Sequence, residues 1–210
     1  MKELFTTGTR IDLEASEILM KTDFFSGKEA LKEWVSIGDA SWAIKDGALE
    51  GEWKKGGKSS HGQIFSPQTF TGNIMMEFEA ETVPPSDHDL IWWWKVILNN
   101  DKSKWEKAYI GALGGWYSNS AGIESVSGDL FTITPLFKME AGRRYKIQSG
   151  SIGKTCFMFV DEKLILEILD KNTLAESVQT SVGFGVYRSH VRIKNLTVYR
   201  LKWKQIKVSY

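Results

Sequence analysis

Ile74-Met-Met-Glu-Phe-Glu-Ala80 places apolar residues at every second position, with glutamates between Met76, Phe78 and Ala80. Side chains of a β-strand alternate between its two faces, so the apolar residues share one face and Glu77 and Glu79 share the other. Such a strand has one face against a hydrophobic core and the other towards polar surroundings. The segment therefore predicts an antiparallel sheet that is buried on one side.

The same strand pattern continues along most of the chain, interrupted by Gly, Asn, Asp and Pro about every 8–12 residues. We predict strands at 42–44, 48–53, 62–66, 73–82, 89–98, 105–111, 122–125, 136–137, 144–151, 155–160, 163–170, 181–187 and 190–202. Helical turns are expected at 27–35 and 172–178, a bulge near Asn195, and a hairpin turn at Asp161. So many short strands fit two packed sheets, and we expect residues 1–210 to form one all-β, two-sheet antiparallel sandwich of the jelly-roll type with minor short helices.

The composition excludes several classes of protein. The 27 basic and 26 acidic residues give a net charge of +1 and are interleaved, so no basic block indicates nucleic-acid binding. The single cysteine, Cys156, excludes an internal disulfide and any multi-cysteine metal site. It lies in an apolar strand, so we expect a buried, inert thiol.

The chain shows neither the apolar core of a signal peptide in residues 1–12 nor an apolar stretch of about 18 residues that could span a membrane. We therefore expect a cytoplasmic protein without a membrane partner, as a monomer or homodimer. No His-x-His or His-x-x-x-His spacing supports a metal site, and no cofactor is expected. A structural calcium ion remains open, because calcium often uses backbone carbonyls.

Trp92, Trp93 and Trp94 are consecutive in a predicted strand. They cannot share one face, so Trp92 and Trp94 lie on one side and Trp93 with Lys95 on the other. Nine tryptophans in 210 residues exceed what one sandwich core requires. Large flat rings beside ionisable groups are typical of sugar recognition, because the rings stack on the sugar and the polar groups orient it.

We therefore predict a groove that binds a saccharide. The predicted substrate-binding residues are Trp92, Trp94, Lys95, Tyr109, Trp116, Tyr187 and Arg188. Within this set, Lys95 and Arg188 would hold an oxyanion or a carboxylated sugar. The alternative is that the tryptophan run only fills the layer between the sheets.

The candidate catalytic residues are Glu124, His190 and His88. Apolar surroundings would raise the pKa of Glu124 and suit it to a general acid. His88 lies between two aspartates that could orient it as a base, although a solvated loop histidine is the alternative. His61 is a weaker candidate. Glu77, Glu79 and Glu81, which share one strand face, are expected to be solvated rather than a catalytic trio.

Four segments carry a resemblance to a known superfamily. They are Asp23-Phe-Phe-Ser-Gly27 with Trp34, Trp42-Ala-Ile-Lys-Asp-Gly-Ala-Leu49, Phe70-Thr-Gly-Asn-Ile-Met-Met-Glu-Phe-Glu79 and Val182-Gly-Phe-Gly-Val-Tyr-Arg-Ser-His-Val-Arg-Ile-Lys-Asn-Leu196. Their order resembles the concanavalin A-like jelly-roll superfamily, in particular the 3-keto-disaccharide hydrolase or glycoside-hydrolase-16-like group of small bacterial proteins. That group also places a histidine near its site, which by resemblance would be His190.

The residues and the resemblance together lead to three hypotheses. The first is a carbohydrate-active enzyme, a glycoside hydrolase or lyase-like protein that uses the concave sheet as its platform. The second is a non-catalytic, lectin-like protein with the same groove. The third is an assembly protein whose exposed tryptophans form a dimer interface.

Overall fold

The computed structural model describes residues 2–24, 31–116, 119–125 and 130–206. Within these residues the chain forms two antiparallel sheets, one of nine strands and one of seven. The larger sheet consists of β1 (Glu3–Phe5), β2 (Thr9–Thr22), β4 (Ala40–Lys45), β5 (Ala48–Trp53), β7 (Ile74–Thr82), β12 (Tyr145–Ile152), β13 (Thr155–Val160), β14 (Lys163–Leu169) and β16 (His190–Gln205). The smaller sheet consists of β3 (Val35–Gly38), β6 (His61–Phe65), β8 (Leu90–Leu98), β9 (Trp105–Gly115), β10 (Ser120–Ser125), β11 (Phe131–Thr134) and β15 (Ser181–Tyr187).

The strand order confirms the predicted two-sheet antiparallel sandwich. The larger sheet runs β1-β2-β16-β7-β12-β13-β14, and the β4–β5 hairpin joins it through the pairing of β5 with β16. The smaller sheet runs β11-β10-β9-β8-β15-β6-β3. In both sheets neighbours in space are often distant in sequence, as β8 beside β15 shows. Groups from separate parts of the chain are thereby brought onto one face.

Four strands were not predicted: β1, β2, β3 and β11. β2 is rich in charged residues and mostly exposed, and it is a strand because β1 and β16 pair with it on its two edges. The strand predicted at 136–137 and the helix predicted at 172–178 are wrong, since both segments form turns or irregular backbone. The helix predicted at 27–35 lies partly outside the described residues, and Val35 begins β3.

The core lies between the two sheets, and alternation within the strands fills it. Met76 and Phe78 of β7 point into it, as their spacing predicts, and Phe78 packs edge-on against Phe184 of β15 with ring centroids 5.1 Å apart. The thiol of Cys156 is buried there, and burial raises its pKa to about 12. The thiol is therefore protonated and inert at neutral pH, which confirms the sequence expectation.

The outer face of the larger sheet carries paired charges. Glu77 accepts hydrogen bonds from Lys2 Nζ at 2.9 Å and from Gln148 at 2.6 Å. Glu81 is 3.2 Å from a guanidinium nitrogen of Arg144. The glutamates of β7 are thus engaged in ion pairs on this face.

Candidate functional site

A groove of about 520 Å³ lies on the outer face of the smaller sheet. Its aromatic lining residues are Trp93, Trp105, Trp116 and Tyr187, and its polar ones are His61, Gln63, Asp89 and Glu124. Ile91, Ile110 and Ala112 form an apolar floor between them. Five strands contribute to this lining, and antiparallel pairing brings them side by side.

The floor of the groove is open because β15 presents glycines on this face. Gly185 lies between Ile91 of β8 and Gln63 of β6 in the pairing register. A Cβ on Gly185 would come within 2.9 Å of Nε1 of Trp93. The indole of Trp93 therefore extends across the backbone of β15, which only a residue without a side chain permits.

Trp92 and Trp94 share one face of β8 and Trp93 lies on the other, as expected. The face that lines the groove, however, is the one with Trp93. Trp92 and Trp94 are fully buried between the sheets, whereas Trp93 lies in the groove. Trp92 occupies space above Gly111, where a Cβ would approach its ring to 2.3 Å, and packs against Phe78 at 5.6 Å. The prediction that Trp92 and Trp94 line a groove is wrong, because rings sealed in the core cannot stack on a ligand.

Lys95 is also not in the groove. Its backbone adopts φ of 49° at an irregularity in the pairing of β8 with β9, and its side chain is buried. Its Nζ has no hydrogen-bond partner among the described residues, and burial lowers its pKa. The nearby carboxylates of Glu176 and Asp170 oppose this shift.

Tyr109 belongs to the same interior region and not to the groove. Its ring stacks on Trp94 with centroids 5.3 Å apart and an interplanar angle of 22°. Its hydroxyl donates a hydrogen bond of 2.5 Å to Oδ2 of Asp170, and burial raises its pKa. The predicted contribution of Lys95 and Tyr109 to the groove is therefore wrong, since both side chains face the core.

The structure places Trp116 and Tyr187 in the groove lining, as the sequence analysis predicts. Trp116 packs edge-on against Phe131 at 5.7 Å, and its ring covers Gly122. Tyr187 is 42% exposed, and the guanidinium of Arg188 lies 5.7 Å from its ring centroid. Arg188 is therefore beside the groove at the Tyr187 end. Their roles in binding stay predictions.

Glu124 also lies in the groove, and Asp89 accompanies it. Burial raises the pKa of Glu124, and it raises the pKa of Asp89 to about 6, which the nearby His88 partly opposes. The Asp89 carboxylate lies over Gly115, where a Cβ would be 2.5 Å from Oδ1. Both carboxyl groups are thus partly dehydrated in an apolar setting.

The two carboxyl groups are far apart. Glu124 pairs with Ile110, and Ile91 pairs with Ala112, so Asp89 and Glu124 are separated by two strand spacings and about four residues. Standard sheet spacing then gives a Cα separation of roughly 16 Å. This exceeds what two short side chains can close to the 5–5.5 Å or so that a retaining glycosidase requires.

His88 and His190 lie outside the groove lining. His88 Nδ1 is 2.8 Å from Oδ1 of Asp87 in the loop before β8. His190 is on β16 of the larger sheet, where its Nε2 is 3.5 Å from Oε2 of Glu50. The predicted convergence of His190, Glu124 and the tryptophans is therefore wrong, because His190 belongs to the other sheet. Among the described residues, the histidine that lines the groove is His61.

Four further polar or aromatic residues line the groove that were not predicted as site residues: Gln63, Asp89, Trp93 and Trp105. Gln63 is 4% exposed, and no described residue hydrogen bonds its carboxamide. Trp93 Nε1 is likewise buried without a partner in the described part of the chain. Gln63 thus keeps its hydrogen-bonding capacity for a molecule in the groove, whereas Nε1 of Trp93 is enclosed by protein, as Nε1 of Trp92 and of Trp94 are. The alternation His61-Gly-Gln63-Ile-Phe65 is a signal that could have placed Gln63 on the open face.

Two other kinds of feature are absent from residues 2–24, 31–116, 119–125 and 130–206. No group of three or more His, Cys, Asp or Glu residues is arranged to hold a metal ion. No helix there is long and apolar enough to cross a membrane.

Comparison with known proteins identifies the fold. No known family profile matches the chain, and no curated protein matches its sequence. Among solved structures, a protein of unknown function with a galectin-like fold from Bacillus subtilis has a TM-score of 0.70 at 13% identity, covering 89% of this chain and 98% of that one. The carbohydrate-binding module CBM66 from Bacillus subtilis has a TM-score of 0.59 at 11% identity, covering 80% and 95%.

A third similar structure is an enzyme. The GlcNAcα1-4Gal-releasing endo-β-galactosidase from Clostridium perfringens has a TM-score of 0.61 at 10% identity, covering 90% of this chain and 64% of that one. At these identities the likeness establishes the fold only. The chain is a galectin-like jelly-roll β-sandwich.

Proposed function

We propose that this protein binds an oligosaccharide in the groove on the smaller sheet. One arrangement carries the proposal: the side chains of Gln63, Asp89 and Glu124 lie between aromatic rings and have no hydrogen bond or ion pair with any residue that the structure describes. Sugar rings need apolar faces to stack on and hydrogen-bonding groups to accept and donate to their hydroxyls. The groove supplies both.

The solved structures with this fold support the proposal. One of them is named as a carbohydrate-binding module and another as an endo-β-galactosidase. Fold alone does not determine function, so the proposal depends on the groove itself. The separation of Asp89 and Glu124 means that they would contact different sugar residues, and the ligand is therefore an oligosaccharide.

The test is direct binding. We would measure binding of the full chain to neutral, amino and acidic oligosaccharides by calorimetry, with the wild type, Trp105→Ala and Trp116→Ala. Loss of one stacking ring should weaken binding at least about tenfold. Trp203→Ala is the matched control, since this ring is 40% exposed on β16 of the other sheet. Equal binding by all four proteins, or no binding to any oligosaccharide, would contradict the proposal.

A second candidate function is hydrolysis of the bound saccharide. The raised pKa values of Asp89 and Glu124 favour it, because a carboxyl group whose pKa lies above its usual range is better suited to donate a proton to a leaving group. The resemblance to the 3-keto-disaccharide hydrolase group supports the same activity. The wide separation of the carboxyls argues against the retaining mechanism only, since inverting glycosidases hold their two carboxyls farther apart. Reducing-end release by the wild type that Glu124→Gln abolishes would establish hydrolysis.

A further inference from the structure

We propose that the groove selects oligosaccharides whose sugars carry protonated amines, that is, unacetylated amino sugars. This inference rests on the proposed saccharide binding and names its ligand class. The inference is drawn from the two carboxylates in the groove, from the polar groups that line it, and from the ion pairs of Glu50 and Glu77 outside it.

Two poorly exposed carboxylates outside the groove have cationic partners. Glu50 is 2.6 Å from a guanidinium nitrogen of Arg192, and Glu77 is 2.9 Å from Lys2 Nζ. In the groove, by contrast, the carboxylates of Asp89 and Glu124 have no ion pair and no hydrogen bond with any residue that the structure describes. Two acidic groups without a direct partner therefore lie where a ligand would lie, although His88 is near enough to Asp89 to act on its charge.

A partly dehydrated carboxylate without a partner is destabilised in its charged form. An ammonium group supplies three hydrogen-bond donors and a positive charge. It therefore replaces the hydrogen bonds and the charge stabilisation that water would give an exposed carboxylate. A hydroxyl supplies one donor and no charge. The same ammonium is also attracted to the faces of Trp105 and Trp116. A protonated amine is therefore attracted both to the carboxylates and to the tryptophan rings of the groove.

Uncharged polar groups in the groove indicate that the ligand also has hydroxyls. Gln63 lines the groove, is 4% exposed and offers both a donor and an acceptor. No described residue hydrogen bonds its carboxamide. An oligosaccharide with amines and hydroxyls on successive sugars would pair with Gln63 as well as with the two carboxylates.

Arg188, His61 and His88 are basic side chains near the groove, and the strand register places them at the end that also holds Asp89. His61 is exposed, His88 is bonded to Asp87, and Arg188 lies over the Tyr187 ring. Lys95, which was expected to hold a carboxylated sugar, is buried in the interior. The lining itself thus favours a cationic sugar over an acidic one.

The experiment compares three oligosaccharides of equal length: glucosamine oligomers, N-acetylglucosamine oligomers and galacturonate oligomers. Affinity for the full chain is measured by calorimetry at pH 7 and at two salt concentrations. We expect the glucosamine oligomer to bind at least about tenfold tighter than the N-acetylated one, with the preference falling at high salt. The galacturonate oligomer should bind weakest.

The variant Asp89→Asn,Glu124→Gln should bind glucosamine and N-acetylglucosamine oligomers equally. Asp87→Asn is the matched control, because Asp87 is an exposed carboxylate outside the groove lining, and it should keep the preference. Binding of the N-acetylated or the acidic oligomer as tightly as the amine would overturn the inference and leave saccharide binding intact. Failure of all three oligomers, with binding to no other glycan, would overturn both proposals.

Discussion

A Cβ atom on Gly185 would approach Nε1 of Trp93 to 2.9 Å, because the indole lies across the backbone of the neighbouring strand. This contact sets the depth of the groove. A side chain at Gly185 would displace the indole into the space that we assign to the ligand.

Gly185→Val should therefore weaken oligosaccharide binding at least about tenfold and destabilise the fold by about 1–3 kcal/mol, as overpacking does. Calorimetry and urea unfolding measure the two effects. Gly8→Ala is the control, since no atom lies within 4 Å of a Cβ there. Unchanged affinity in Gly185→Val would show that the indole can move without affecting the ligand.

Trp92→Ala should destabilise the protein by about 3–5 kcal/mol, because it leaves a large cavity between the sheets. The midpoint of urea unfolding would report this loss. Trp203→Ala removes a ring that is 40% exposed and should cost much less. Comparable stability of the two variants would mean that Trp92 is not sealed in the core.

Lys95→Met should stabilise the protein by about 1–3 kcal/mol at pH 7, since it replaces a buried ammonium without a described partner by an apolar chain. Burial places the folded-state pKa of Lys95 below its usual value of 10.5. Between that lowered pKa and 10.5 the unfolded chain binds more protons, so the wild type gains stability as the pH rises. Its unfolding free energy should increase from pH 7 to pH 10 relative to Lys95→Met. Parallel pH curves would argue that Lys95 is charged and solvated.

Asp89→Asn should also raise stability near neutral pH. The pKa of Asp89 is raised by burial from 3.8 to about 6, so between these values the folded protein binds more protons than the unfolded chain. Wild-type stability therefore falls as the pH rises through this window, by at most about 3 kcal/mol. The variant should lack this decrease when unfolding is followed from pH 4 to pH 8. Asp87→Asn, at an exposed carboxylate next to His88, should behave as the wild type does in this window, and an identical decrease in Asp89→Asn would contradict the assignment.

Local pattern predicted much of the fold. The alternation in Ile74–Thr82 and the bulge near Asn195 agree with the structure, where Asn195 adopts φ of 54° and the register of β16 shifts. Such features depend on neighbours in sequence. β2 could not be predicted in this way, since its pairing with β1 and β16 compensates for a charged, exposed sequence.

The site was harder to predict, because its two decisive facts are not local. Both Trp92 and Trp93 have apolar residues two positions before them, Leu90 and Ile91, so the pattern alone does not say which face is the core. The core face is determined by Gly111 of β9, because its missing side chain leaves space between the sheets for the Trp92 ring. The irregularity at Lys95 then turns its side chain inward against strict alternation.

The long strand β16 has a consequence for how the protein is made. It pairs with β2, β5 and β7, and the paired residues are between 109 (Val191 with Thr82) and 196 (Gln205 with Thr9) positions apart in the sequence. While a ribosome is still translating the segment before His190, those three strands have edges without their final neighbour. Such edges are open to aggregation, and contacts this distant form slowly. Folding of the larger sheet must therefore wait until residue 205 has left the exit tunnel.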